Sequence, residues 1–181
     1  LSPSSHPTQV LSDIFTIQEI KKKSISKLKL CWIGDANNNM MNSLIEACIK
    51  FSVSLNIACP KSYQPNKMLI SLIKKQKGKI KIFNKKEIAV KNSDVVMTDK
   101  IISLNDKVNK KKKLNSFKNF KVDTKTMNLA KKDAIFLHCL PRGNEVTEEV
   151  FLGKQSKVWQ QALNRVYVQK SILLYLSLIH I

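Results

Sequence analysis

Five short apolar runs alternate with segments of helical period along this 181-residue chain. That alternation constrains the fold more than any other feature. The runs are residues 28–33, 53–58, 79–83, 95–98 and 134–139. Three of them, 28–33, 95–98 and 134–139, hold contiguous apolar residues rather than alternating ones, as strands covered by helices on both faces should. Residues 10–22, 42–51, 67–77 and 124–131 carry apolar side chains at helical spacing, and 162–175 follows the last run as a final helix. Residues 107–121 are lysine-rich and weakly patterned, and are expected to form a loop. Strands alternating with helices predict βαβ units and an α/β fold: a doubly wound, mostly parallel sheet flanked by helices.

Three of the runs stop in distinctive polar groups. The first gives Gly34-Asp35-Ala36-Asn37-Asn38-Asn39, the fourth gives Asp99, and the fifth gives His138-Cys139-Leu140-Pro141. Proline ends a strand because it lacks a backbone donor. In a parallel sheet all three endings fall on one edge, where open α/β sheets gather ligands. Each ending has a plainer reading. Asparagine after Gly-Asp caps helices, a lone aspartate after a strand is more often a cap than a contact, and a lone cysteine is usually core. The Gly34 segment lacks the second and third glycines of a dinucleotide fingerprint. His6-Pro7-Thr8-Gln9 makes a natural helix start with Thr8 as cap.

The formal net charge of +19 raises the question of nucleic acid. Only Arg142 and Arg165 among the 32 basic residues are arginine, the preferred fork for phosphates and base edges. The lysines are spread along the chain without interleaved aromatics, so they are taken as solvated surface and no nucleic-acid partner is expected. Cys31, Cys48, Cys59 and Cys139 show no C-x-x-C spacing, which argues against a zinc site. Free thiols suit a reducing, cytoplasmic setting. No apolar stretch reaches the roughly 18 residues of a membrane span.

The ordered motifs H-P-x-Q-x-L-x-D from His6, W-x-G-D-x-x-N-N from Trp32, T-D-x-x-x-S from Thr98, H-C-L-P from His138 and N-R at Asn164-Arg165 resemble the ornithine carbamoyltransferases. The resemblance covers nearly the whole chain and corresponds to the second half of such enzymes. It implies a Rossmann-like ornithine-binding domain over 24–160. Residues 1–23 would form a crossing helix bearing H-P-T-Q, 161–175 a C-terminal helix, and 176–181 a non-native tail. It implies transfer of the carbamoyl group of carbamoyl phosphate to the δ-amine of ornithine, giving citrulline and phosphate, with no metal and no organic cofactor. It implies a homo-oligomer, commonly a trimer. His6, Gln9, Cys139, Leu140 and Arg165 would contact carbamoyl phosphate. Asn39, Asp99, Ser103 and Leu104 would contact ornithine. Asp99, Cys139, His6 and Arg165 would carry the chemistry.

The chain departs from the family where S-M-G becomes Ser103-Leu104-Asn105 and where Val-Trp after the aspartate becomes Lys100-Ile101. The phosphate-binding S-T-R-T loop of the first domain is not in the sequence, so the chain is expected to be part of a longer enzyme and inactive alone. A sibling transferase acting on putrescine or another amine shares much of the pattern. A lysine-rich nucleic-acid-binding module is the reading from a different class, and only charge speaks for it.

Overall fold

The first helix, α1 (Pro7–Lys21), opens on a proline, whose fixed φ suits a helix start. The computed structural model describes residues 2–102 and 109–179. After α1 come β1 (Lys29–Ile33), α2 (Asn39–Lys50), β2 (Ser54–Ala58), α3 (Lys67–Lys75), β3 (Ile80–Phe83), α4 (Lys86–Val90) and β4 (Val95–Thr98). Then follow α5 (Lys110–Ser116), α6 (Thr124–Leu129), β5 (Ile135–His138), α7 (Glu148–Leu152) and α8 (Val158–Leu178). The five strands form one sheet in the order β3-β2-β1-β4-β5, with every neighbour parallel. The order reverses between β1 and β4. That reversal is where a doubly wound sheet opens a crevice at its carboxyl edge.

Period-2 alternation divides the strand side chains between two cores. Leu30, Trp32, Leu55, Ile57, Val95, Met97 and Leu137 pack with α1, α2 and α3. Cys31, Ile33, Ala58, Val96 and Phe136 pack with α4, α6 and α7 on the other face. Helices on both faces explain the contiguous apolar residues of β1, β4 and β5. Asn38 caps α2, its side chain accepting from the Met41 N–H at 2.8 Å, so that helix begins at Asn39 rather than Asn42. β5 ends at His138, leaving Cys139 just outside the strand.

The loop expected over 107–121 contains a helix. Asn109 accepts from the Lys112 N–H and starts α5. Phe117 and Phe120 are buried, and Phe117 stacks on Tyr63 with ring centroids 4.8 Å apart. Lys113 is not a solvated lysine: it is 4% exposed and pairs with Asp35 at 2.7 Å. One lysine in a run of four turns inward because the helix rotates it toward a carboxylate, which periodicity of apolar residues could not show. The helices α4 and α7 have five residues each, too short to leave a periodic signature. The last helix starts four residues before Ala162 and runs three past Tyr175.

The contact between α1 and α8 is largely polar. Gln9, Ser12, Asp13 and Thr16 are buried, while Leu11 is 39% exposed. Asn164 Nδ2 donates to Thr16 Oγ1 at 3.0 Å and to Glu19 Oε2 at 2.9 Å. Gln160 Nε2 donates to Glu19 Oε2 at 2.7 Å. Buried polar groups need such partners, and the pairs fix the register of the two helices against each other.

Candidate active site

The exits of β1, β4 and β5 lie side by side on the carboxyl edge, as their parallel pairing requires. Gly34 closes β1 with φ at +146°, a conformation L side chains rarely adopt. A Cβ there would also stand 3.3 Å from Thr98 Oγ1, whose hydroxyl donates to the Ile33 carbonyl at 2.6 Å. Asp35 turns the chain into α2, its Oδ1 accepting from the Asn37 N–H at 2.8 Å while Oδ2 meets Lys113. Asp35 thus serves structure. Asp99 leaves β4 with Oδ1 accepting from the Lys100 N–H at 2.7 Å.

His138 and Cys139 are set by a buried ion pair. His138 Nε2 donates to Glu145 Oε1 at 2.8 Å, and Nδ1 donates to the Cys139 carbonyl at 2.6 Å. Both ring nitrogens face acceptors, which suits the imidazolium. The Gly143 N–H donates to the same Glu145 oxygen at 2.6 Å. A Cβ at Gly143 would lie 2.6 Å from Glu145 Oε2, so the loop closes this tightly only with glycine. Burial alone would raise the Glu145 carboxyl, yet the bonds from His138 and Gly143 outweigh it and hold it below its ordinary value. The Leu140–Pro141 peptide in this loop is cis.

Beside this loop a cleft of about 280 Å³ is lined by Gln9, His138, Leu140, Gln161 and Arg165, with aliphatic parts of α8 completing the wall. Its electrostatics involve residues from four elements. Burial raises the Asp99 carboxyl to about 6, against the Lys100 N–H and His138. Burial also raises Asp13 to about 6, against hydrogen bonds from Gln161 and Gln9. The Cys139 thiol is pushed far up, first by burial and then by Asp99 and Asp13, with Arg165 opposing. It is therefore a neutral S–H at physiological pH. Burial, then Arg165, lower His6.

Of the residues singled out from the sequence, Gln9, Leu140 and Arg165 line the cleft together, and His6 and Cys139 lie within the field of Arg165. Asn39 lies apart from that lining, its Nδ2 donating to the Ser2 carbonyl at 2.9 Å. The His6 N–H in turn donates to Ser43 Oγ of α2 at 2.9 Å, so the entry to α1 is tied to the helix Asn39 begins. Ser103 and Leu104 fall outside the described residues. Sequence reasoning gave no role to three groups at the site: Asp13, which closes the H-P-x-Q-x-L-x-D motif, Gln161 and Glu145. The first had a signal, because Gln9 and Asp13 are four apart on one helix face. Among the described residues no group of three or more His, Cys, Asp or Glu is arranged to hold a metal ion.

Replacing Cys139 with serine is expected to keep the fold and lower kcat/KM for the amine substrate about tenfold, because a buried hydroxyl demands a stronger partner than a thiol. Steady-state kinetics of the full-length protein check this. Unchanged constants in a folded C139S protein would make Cys139 a packing residue only.

Comparison with known proteins bears on the sequence and the fold. The sequence pattern of the family described as "Aspartate/ornithine carbamoyltransferase, Asp/Orn binding domain" matches residues 26–176. An ornithine carbamoyltransferase of Ruthia magnifica is 43% identical over 178 residues, covering 97% of this chain and 58% of that protein. That of Methanosarcina acetivorans is 38% identical over the same shares. The crystal structure of the anabolic ornithine carbamoyltransferase of Campylobacter jejuni superimposes with a TM-score of 0.90 at 40% identity, over 98% of this chain and 60% of that one. The chain thus spans about three-fifths of the length of these relatives. With a matching pattern over most of its length, the chain belongs to the family of aspartate/ornithine carbamoyltransferase Asp/Orn binding domains.

Proposed function

We propose that this chain is the ornithine-binding part of an ornithine carbamoyltransferase, which transfers the carbamoyl group of carbamoyl phosphate to the δ-amine of ornithine. The observation that carries the reading is the convergence of Gln9, Leu140 and Arg165 around one cleft, with Asp99 and Cys139 at the adjoining strand ends. The amine nitrogen attacks the carbamoyl carbon, the carbon–oxygen bond to phosphate breaks, and phosphate leaves with the electron pair. Ornithine arrives as an ammonium ion, so a proton must be lost before attack.

Asp99, with its raised carboxyl, is suited to orient that ammonium and receive its proton. His6 and Arg165 donate to the oxygen that becomes negative in the tetrahedral intermediate. Gln9 and Leu140 hold the carbamoyl group. Cys139 touches both substrates through a neutral thiol. Asn39 holds the α-carboxylate end of ornithine, and Ser103 and Leu104 contact ornithine beside Asp99. Binding the two substrates in register supplies much of the remaining acceleration.

The reading places the protein in arginine biosynthesis in the cytoplasm, as a homo-oligomer, with citrulline as product. Among the described residues no helix is long and apolar enough to cross a membrane. The apolar face of α8, with Trp159 and Tyr167 exposed, is the surface the rest of a longer enzyme would cover.

The test is citrulline formation by the full-length protein in the presence of a chelator. Product formation without added divalent ion is expected. No citrulline, or activity that requires a metal, overturns the assignment.

A further inference from the structure

The buried carboxylate of Asp13 has no place in the roles given above. Its Oδ1 accepts from Gln9 Nε2 at 2.8 Å and from Gln161 Nε2 at 2.7 Å. Its Oδ2 is buried with no hydrogen-bond partner among the described residues. A carboxylate only accepts, so it forces both glutamine amides to turn their N–H groups inward. Their carbonyl oxygens then point elsewhere. Gln161 Oε1 accepts from the His138 backbone N–H at 3.0 Å, which pins the end of β5. Gln9 Oε1 has no partner among the described residues, and Gln9 lines the cleft.

We propose that Asp13 is a positioning residue: by engaging the Gln9 amide from behind, it makes Gln9 present an acceptor, rather than a donor, to the ligand in the cleft. The ligand class that fits an acceptor beside the donor Arg165 is a group bearing N–H and C=O on one carbon, a primary amide or carbamoyl. The inference rests on the carbamoyl-transfer reading and deepens it. It explains why a carboxyl that burial penalises stands at this point of α1. A neutral amide at position 13 could flip, and the Gln9 amide would flip with it.

The experiment uses the full-length protein with Asp13→Asn, Gln9→Ala and the double variant. Asp13→Asn should raise KM for carbamoyl phosphate about tenfold and change KM for ornithine by less than about twofold. Its melting temperature at about pH 8 should be no lower than that of the wild type, because the charged carboxylate it removes was held above its ordinary value. The double variant should bind carbamoyl phosphate no worse than Gln9→Ala alone, because Asp13 acts through Gln9. Three results overturn the proposal: additive effects in the double variant, equal rises in both KM values, or a folded state lost on the isosteric change to asparagine. Wild-type citrulline formation is the control. If it is absent, the functional reading fails and this inference with it; if it is present and the variants do not separate, this inference alone fails.

Discussion

Asp99→Asn in the full-length enzyme is expected to lower kcat/KM for ornithine by roughly 10²–10⁴-fold, the usual loss for a positioned acid–base group, while making the protein more stable at neutral pH. The activity loss follows from charge. Asparagine still accepts the Lys100 N–H but neither attracts an ammonium nor takes its proton. The stability gain follows from linkage. Burial raises the folded-state carboxyl from an ordinary 3.8 to about 6, so folding favours the protonated form. That stability is fully present below the unfolded value and is lost as pH rises through the folded one. Above that window the buried charge costs the fold on the order of 3 kcal/mol, which a neutral amide does not incur. Thermal melts at about pH 8 should therefore move up by a few degrees, and the difference should vanish below about pH 4. Asp35→Asn is the control with the opposite sign. It breaks a buried pair with Lys113 and should lower stability with much less effect on turnover per folded molecule. If both variants stay folded and lose activity equally, the division between Asp99 and Asp35 is wrong.

Why Asp99 was legible and Asp13 was not is a matter of which physical signals a sequence carries. The strands were found from their short apolar runs, contiguous in β1, β4 and β5 because burial on both faces demands it, and their parallel order followed from the helices between them. The strand ends were found because a run of apolar residues stops where a polar group begins, as at Thr98-Asp99 and His138-Cys139. The polar face of α1 left no such mark. By periodicity alone Asp13 and Thr16 look like a solvated helix surface until α8, almost 150 residues later in the chain, supplies Gln161 and Asn164 as partners. Lys113 was hidden for the same reason: four consecutive lysines look identical, and only the orientation of α5 selects the one that meets Asp35. Long-range polar complementarity is not periodic, so pattern could not reveal it.

The His138–Glu145 pair is the place where this hidden complementarity should matter most for stability. Glu145→Ala is expected to destabilise the protein by about 3–5 kcal/mol, the range for breaking a buried ion pair from one side. The change leaves the buried His138 Nε2–H and the part-buried Gly143 N–H without their shared acceptor. It also frees the loop that presents Cys139 and Leu140, so activity should fall beyond the loss of folded protein. Glu145→Gln keeps a carbonyl acceptor in nearly the same volume and should lose less. The carboxyl of Glu145 is held below its ordinary 4.5, so its contribution is present above that value and fades as pH falls below it. The stability gap between wild type and Glu145→Gln should accordingly narrow in acid. Urea unfolding of the three proteins at neutral pH and near pH 4 measures all of this. A Glu145→Ala protein with the wild-type midpoint would mean that the loop after β5 is held by something other than this pair.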